Sequence, residues 1–195
     1  MANYNFKGFN TRTTISTYSA SYFWKQVFYM RRFFFLAVVF FSAQAVFAQT
    51  EISYDGSGKI IKGFMNRTDL DTAFTWFKQN QQGFIPQANA VQAFQTQKDS
   101  INIIAFGGTW CGDTRFLLPK FYSLTDAAGF SQDRITLIGV DRSKKTIQHL
   151  TEAFNITRVP TFIVMKNGKE IGRVVEYGKT GMFDKELGEI IAAGK

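Results

Sequence analysis

The chain is 195 residues long, carries 23 Lys and Arg against 15 Asp and Glu for a formal charge of +8, and has one Cys and one His. The excess is uneven: Lys7, Arg12, Lys25, Arg31 and Arg32 precede Thr50 without an acidic residue among them, and the remaining 18 basic residues against 15 acidic ones leave +3. No later basic run exceeds Lys144-Lys145, which excludes the clustered cationic face that nucleic acid requires. One Cys excludes an internal disulfide and, with one His, the usual Cys/His zinc site, so no metal and no other cofactor is expected.

Met30-Arg31-Arg32 opens a segment that continues through an apolar run over 33–41 to Val46-Phe47-Ala48. It has the three-part form of a bacterial secretory signal over 30–48, with cleavage expected after Ala48 and a periplasmic or secreted destination. The run is shorter than the ~20 residues of a spanning helix. An uncleaved anchor is the alternative, and would be the protein's only attachment to a membrane. Because such signals begin with their charged region, Met30 is the expected start and 1–29 a non-native or disordered extension. The folded domain is expected over 50–195.

Ile52-Ser53-Tyr54, the turn Asp55-Gly56-Ser57-Gly58 and Lys59-Ile60-Ile61 read as a hairpin. Thr68 is the expected N-cap of a helix over 69–81, where Leu70, Phe74 and Phe77 recur at helical spacing before Gly83. Pro86 suits the first turn of a second helix with Ala90, Val91 and Phe94 as its apolar face. Residues 101–106 read as a buried strand, followed by Gly107-Gly108-Thr109-Trp110-Cys111-Gly112. A helix is expected over 113–127 on Phe116, Leu117, Phe121 and Leu124, kinked at Pro119. A second buried strand covers 135–141, and a helix on Ile147, Leu150 and Phe154 covers 146–155. Strands over 161–165 and 170–175 are joined by Asn167-Gly168, a strong hairpin signal, and a helix over 180–193 places Phe183, Leu187, Ile190 and Ile191 inward. Two parallel strands with a right-handed crossover, then an antiparallel hairpin, predict an α/β fold whose mixed central sheet is covered on both faces.

The strand ending in Trp110-Cys111-Gly112, the helix opening directly after it, and Val159-Pro160-Thr161 before the third strand resemble the thioredoxin superfamily over 101–193, with 50–100 as a strand-helix elaboration. The resemblance implies a thioredoxin-like three-layer α/β/α sandwich, Pro160 in cis, and its loop packed against the active-site cysteine. Two departures stand out. Thr114 occupies the place of the family's second cysteine, giving Cys-Gly-Asp-Thr, and Ala105 occupies the place of the buried acidic residue that assists it.

Cys111 at a helix N-terminus meets free N–H groups and the positive end of the dipole, which favour the thiolate over a free thiol. Thr114, three residues on, is expected to donate its hydroxyl to the sulfur, while Asp113 opposes ionisation. Trp110 and Gly112 are expected to flank the bound partner, and Val159 and Pro160 to present backbone to an extended peptide. Arg158 either adds positive charge there or is a solvated loop residue. His149 reads as a surface residue. Without a resolving thiol, Cys111 can attack a disulfide and form a mixed disulfide but needs an external thiol reductant for release, so the expected partners are proteins with thiols or disulfides. The rivals to such monothiol exchange are a non-catalytic peptide-binding module and an intermolecular disulfide tether.

Overall fold

The computed structural model describes residues 25, 27, 28, 30 and 50–194. The chain divides into the units Met1–Phe47 and Ala48–Lys195, and the expected signal and extension fall, save four positions, outside the described residues. The second unit is built from β1 (Thr50–Asp55), β2 (Gly58–Met65), α1 (Arg67–Ala73), α2 (Thr75–Gln79), α3 (Ala88–Gln97), β3 (Ile101–Gly107), α4 (Gly112–Ala127), β4 (Ile135–Gly139), α5 (Leu150–Ala153), β5 (Thr161–Lys166), β6 (Lys169–Val175) and α6 (Phe183–Ala193). The strands form a six-stranded sheet in the order β1-β2-β4-β3-β5-β6. Only β3 and β4, joined through α4, run parallel; the other neighbours are antiparallel. This is the mixed-sheet α/β sandwich that the sequence predicts.

Alternate side chains of a strand leave on opposite faces, and the core divides accordingly. Ile101, Ile103 and Ala105 of β3, with Leu137, Phe162 and Val164, join a large apolar cluster that also takes Leu70, Phe77, Phe94, Phe121 and Leu187 from the helices. Phe106, Ile138 and Ile163 join a smaller one with Val140, Ile156 and Val159, covered by Leu150 and Phe154 of the short α5 segment. Ala105, where the resemblance would place a carboxylate, is fully buried among apolar groups. Asn167 and Gly168 both adopt left-handed conformations between β5 and β6, as a two-residue hairpin demands.

Several elements differ from the sequence expectation. The helix expected over 69–81 is split into α1 and α2 at Phe74, which is extended (φ −136°, ψ 111°). Its N-cap is Asn66 and not Thr68: the Asn66 side chain accepts from the Asp69 N–H at 2.9 Å while the Asp69 carboxylate accepts from the Asn66 N–H at 2.8 Å, a reciprocal pair that satisfies two otherwise orphaned donors. Pro86 lies just before α3, whose N-cap is Gln87. Phe116 is exposed. The segment 146–155 yields a three-residue 3-10 turn over Ile147–His149 and then α5; the Thr146 hydroxyl donates to the Gly139 carbonyl at 2.8 Å and ties its start to the end of β4. Gln148 and His149 then turn the chain through left-handed conformations, so regular helix starts at Leu150.

Helix α4 continues through Pro119. Proline has no N–H for the carbonyl four residues earlier, and the Asn80 amide at the end of α2 donates to that Arg115 carbonyl at 2.9 Å instead. The α3–α6 contact is tighter still: a Cβ at Gly188 would lie 2.7 Å from the Cα of Ala90 and 3.2 Å from its nitrogen. Gly188→Ala is therefore expected to destabilise the protein by ~1–3 kcal/mol through overpacking, despite alanine's helix preference of ~1 kcal/mol. Chemical denaturation of the full chain measures this; unchanged stability would show that the two helices separate freely.

Candidate active site

Cys111 is the N-cap of α4, with extended backbone (φ −83°, ψ 128°). Its carbonyl accepts the first helical bond from the Arg115 N–H at 3.0 Å, and its own N–H donates to the Gly108 carbonyl at 2.9 Å, so the strand-to-helix connection is a tight turn. The thiol is half-buried and packs beside the smaller core cluster. The Val159-Pro160 peptide is cis, and the thiol donates to the Val159 carbonyl at 3.4 Å. Cys111, Val159 and Pro160 thus converge, and Gly112 opens α4 beside them with no atom near its missing Cβ. The Trp110 indole N–H donates to the Val140 carbonyl at 3.0 Å, and a Cβ on Gly108 would lie 2.8 Å from that indole. The ring is therefore seated on the turn.

Two side chains are not where the sequence suggests. Thr114 is buried and its hydroxyl accepts from the Gly108 N–H at 3.2 Å; it makes no hydrogen bond to the sulfur, because position 114 faces back under the turn and not toward the end of the helix. Arg158 pairs with Glu176 at 3.3 Å, so its charge is already engaged by a carboxylate. His149 is on the surface, its side chain 90% exposed.

Residues that sequence reasoning missed hold the turn in place. Thr109 is buried; its hydroxyl donates to the Lys59 carbonyl at 2.9 Å and accepts from the Ile61 N–H at 3.3 Å. Arg115 bridges the Thr109 carbonyl (2.7 Å) and the Ser57 carbonyl (3.0 Å). Arg142 pairs with Asp55 and lies 5.5 Å from the Trp110 ring centroid. The β1–β2 hairpin is thereby fastened to the segment that carries Trp110 and Cys111. On the other side, the Tyr177 hydroxyl donates to Asp113 at 2.9 Å. Desolvation, that hydrogen bond, and the nearby carboxylates of Asp113 and Glu176 hold the phenol above its ordinary pKa. No local pattern marks these residues, since each acts on a segment distant in sequence. No cluster of potential metal ligands occurs among the described residues.

A cysteine capping a helix beside a cis-proline loop, on a mixed sheet, defines a thiol-bearing domain of redox type. The thioredoxin family profile matches residues 86–188, and the chain belongs to the thioredoxin family, whose general chemistry is thiol–disulfide redox. The match begins earlier than the motifs indicate and takes in α3, while β1 to α2 precede it. A thioredoxin of Echinococcus granulosus is 33% identical over 84 residues, covering 43% of this chain and 73% of the relative. Thioredoxin H2 of Arabidopsis thaliana is 28% identical over 79 residues, covering 40% of this chain and 55% of the relative. Among solved structures, the reduced Schistosoma mansoni thioredoxin pre-protein is similar at 22% identity and a TM-score of 0.37, covering 55% of this chain and 90% of that one.

Loss of the Thr109 hydroxyl leaves a buried N–H and carbonyl of the hairpin without their partner. Thr109→Val is expected to cost about 1–3 kcal/mol and to alter the alkylation rate of Cys111, whereas Thr109→Ser restores both; identical behaviour of the two variants in denaturation and alkylation would show that the hydroxyl is dispensable. The Asp55 carboxyl is held well below the ordinary carboxylate range by its hydrogen bond to Arg142 first, then by those from Ser57. A depressed folded value means that its stabilisation is complete above 3.8, the ordinary value, and is lost as pH falls below it. Asp55→Asn is expected to flatten the stability–pH profile in that window. Superimposable denaturation midpoints for parent and variant across it would assign the pair no role.

Proposed function

We propose that this protein is an exported thiol–disulfide exchange protein that works through Cys111 alone. The observation that carries the reading is the half-buried sulfur at the N-cap of α4, 3.4 Å from the Val159 carbonyl of the proline loop. In the proposed step the Cys111 thiolate attacks one sulfur of a partner's disulfide. A bond forms between the two sulfurs, the partner's own disulfide breaks, and its leaving thiolate takes a proton. Thr114 offers no second thiol. An external thiol therefore attacks the mixed disulfide, freeing Cys111 and leaving with the partner's sulfur, and a second equivalent of that thiol completes the partner's reduction. In this reading the partner lies against Trp110 and Gly112 beside the sulfur and pairs with the backbone of the Val159-Pro160 loop; both loop residues are buried, and the Val159 N–H has no hydrogen-bond partner among the described residues, as strand-like pairing with an extended chain requires.

Export rests on the signal form of 30–48 in the sequence alone. Among the described residues no helix is long and apolar enough to cross a membrane.

The alternative, a non-catalytic peptide-binding module, draws support from the polar groups around the sulfur. The Thr114 hydroxyl is engaged with Gly108, and the nearest polar atom of the loop is a carbonyl oxygen; neither donates to an ionised sulfur. One experiment separates the readings. Incubated with a peptide disulfide, the full chain is expected to form a mixed disulfide that mass spectrometry places at Cys111 and that Cys111→Ser abolishes. Thr114→Cys, which restores two thiols on one helical turn, is expected to add disulfide reductase activity with dithiothreitol. An accessible Cys111 that forms no mixed disulfide would leave the binding module as the reading.

A further inference from the structure

On the face of α4 that carries Phe116, Leu117 and Lys120 lies a groove of about 190 Å³ between α4, the loop before α3 and the loop before α6. Its walls are Phe84, Ile85, Phe116, Tyr177 and Met182, with Lys120 among them. Ile85 is 85% exposed, Phe116 43%, Met182 40% and Tyr177 37%. A folded monomer seldom leaves so many large apolar side chains together in water unless something covers them.

Three observations say what covers them. The groove is linked to the start of α4: Tyr177 lines it and donates to Asp113, two residues from Cys111. Its one cation is unpaired, since Lys120 makes no ion pair among the described residues and its Nζ lies only against aromatic rings, 3.2 Å from the Phe116 centroid and 5.5 Å from that of Phe84. Desolvation also lowers the pKa of this amine, so a carboxylate arriving there restores charge balance to a partly dehydrated group. The other charged residue of the groove is already occupied, because the carboxylate of Asp184 accepts from the Gln87 and Lys185 N–H groups.

We propose that this groove receives an apolar side chain, with an acidic residue next to it, of the polypeptide whose sulfur exchanges with Cys111. The proposal rests on the exchange reading and adds the class of partner. Helical rise sets the register. Lys120 is nine residues beyond Cys111, about 13 Å along the axis, and an extended chain covers that in about four residues. The apolar side chain and its acidic neighbour thus stand three to four residues from the reacting cysteine. The chemistry is the exchange already described: the Cys111–partner S–S bond forms as the partner's disulfide breaks and its leaving thiolate is protonated.

The test uses the full chain and short peptides whose single cysteine is blocked as a mixed disulfide with a chromophoric aromatic thiol, together with the symmetric disulfide of that thiol as a small probe. Release of the aromatic thiolate gives the rate of attack by Cys111. Peptides with Leu-Asp at the third and fourth positions from the cysteine, placed on either side, are expected to react about tenfold faster than Ser-Lys peptides, equivalent to about 1.4 kcal/mol. Lys120→Glu, on a partly exposed side chain, is expected to reverse the preference between Leu-Asp and Leu-Lys peptides without changing the rate with the small probe. Equal rates for all peptides with a normal small-probe rate overturn the groove and spare the exchange reading; failure of Cys111 to react with the small probe overturns both. A dimer that Lys120→Glu dissociates would assign the groove to a second copy and overturn the proposal as well.

Discussion

One threonine hydroxyl joins the reactive end of the molecule to the hairpin that precedes the family segment. Thr109 sits between the Lys59 carbonyl and the Ile61 N–H, and it is the residue from which the chain turns into Trp110 and Cys111. A buried hydroxyl that both donates and accepts has no freedom left. The turn after it inherits that rigidity, because Arg115 ties the carbonyl of the same residue to Ser57 and Arg142 ties Asp55 to the face of Trp110. The hairpin is held less by the rest of the sheet, since only Gly63, Phe64 and Met65 of β2 pair with β4. Its tip and the cysteine turn therefore depend on one another.

The sandwich is uneven, and the site occupies its thinner side. One face of the sheet carries the large core beneath α1 to α4 and α6. The other carries a cluster of six buried residues under a four-residue helix. Trp110, Cys111 and Val159 belong to that second cluster. A long helix over 146–155 would have thickened this side of the sheet. Left-handed backbone at Gln148 and His149 interrupts it.

How much of the molecule is legible in its sequence depends on range. Period-two burial in β3, the Asn167-Gly168 turn and the helix after Cys111 are written in neighbouring residues, and local pattern finds them; the placing of Val159-Pro160 against Cys111, 48 positions away, comes only from the family resemblance. Asn66 and Phe74 escape it although their signals are also local. Apolar spacing across 69–81 is compatible with one helix or two, and the reciprocal cap with Asp69 competes with a threonine only two residues away. The differences at the site have another origin. Thr114 has the right spacing to face the sulfur, yet its hydroxyl is engaged by the Gly108 N–H in the turn after β3. Arg158 has the right charge but a nearer carboxylate in Glu176. Thr109, Arg115, Arg142 and Tyr177 acquire their roles from remote partners, as Arg142 does from Asp55, 87 positions away, and Tyr177 from Asp113, 64 positions away. No short window along the chain contains both ends.

Strand β1 is exposed along its whole length and forms the rim of the sheet, pairing with β2 alone. Such a rim invites another chain to add itself, and acidic side chains placed along it deter that by repulsion between copies. Glu51 and Asp55 lie near its two ends, and their bonds to Lys62 and Arg142 fix where those charges stand. The ionic pairing that secures the hairpin to the cysteine turn thus also bears on solubility. A substitution that neutralises the strand would leave Ile52 and Tyr54, already exposed, on an edge with less charge to discourage self-association.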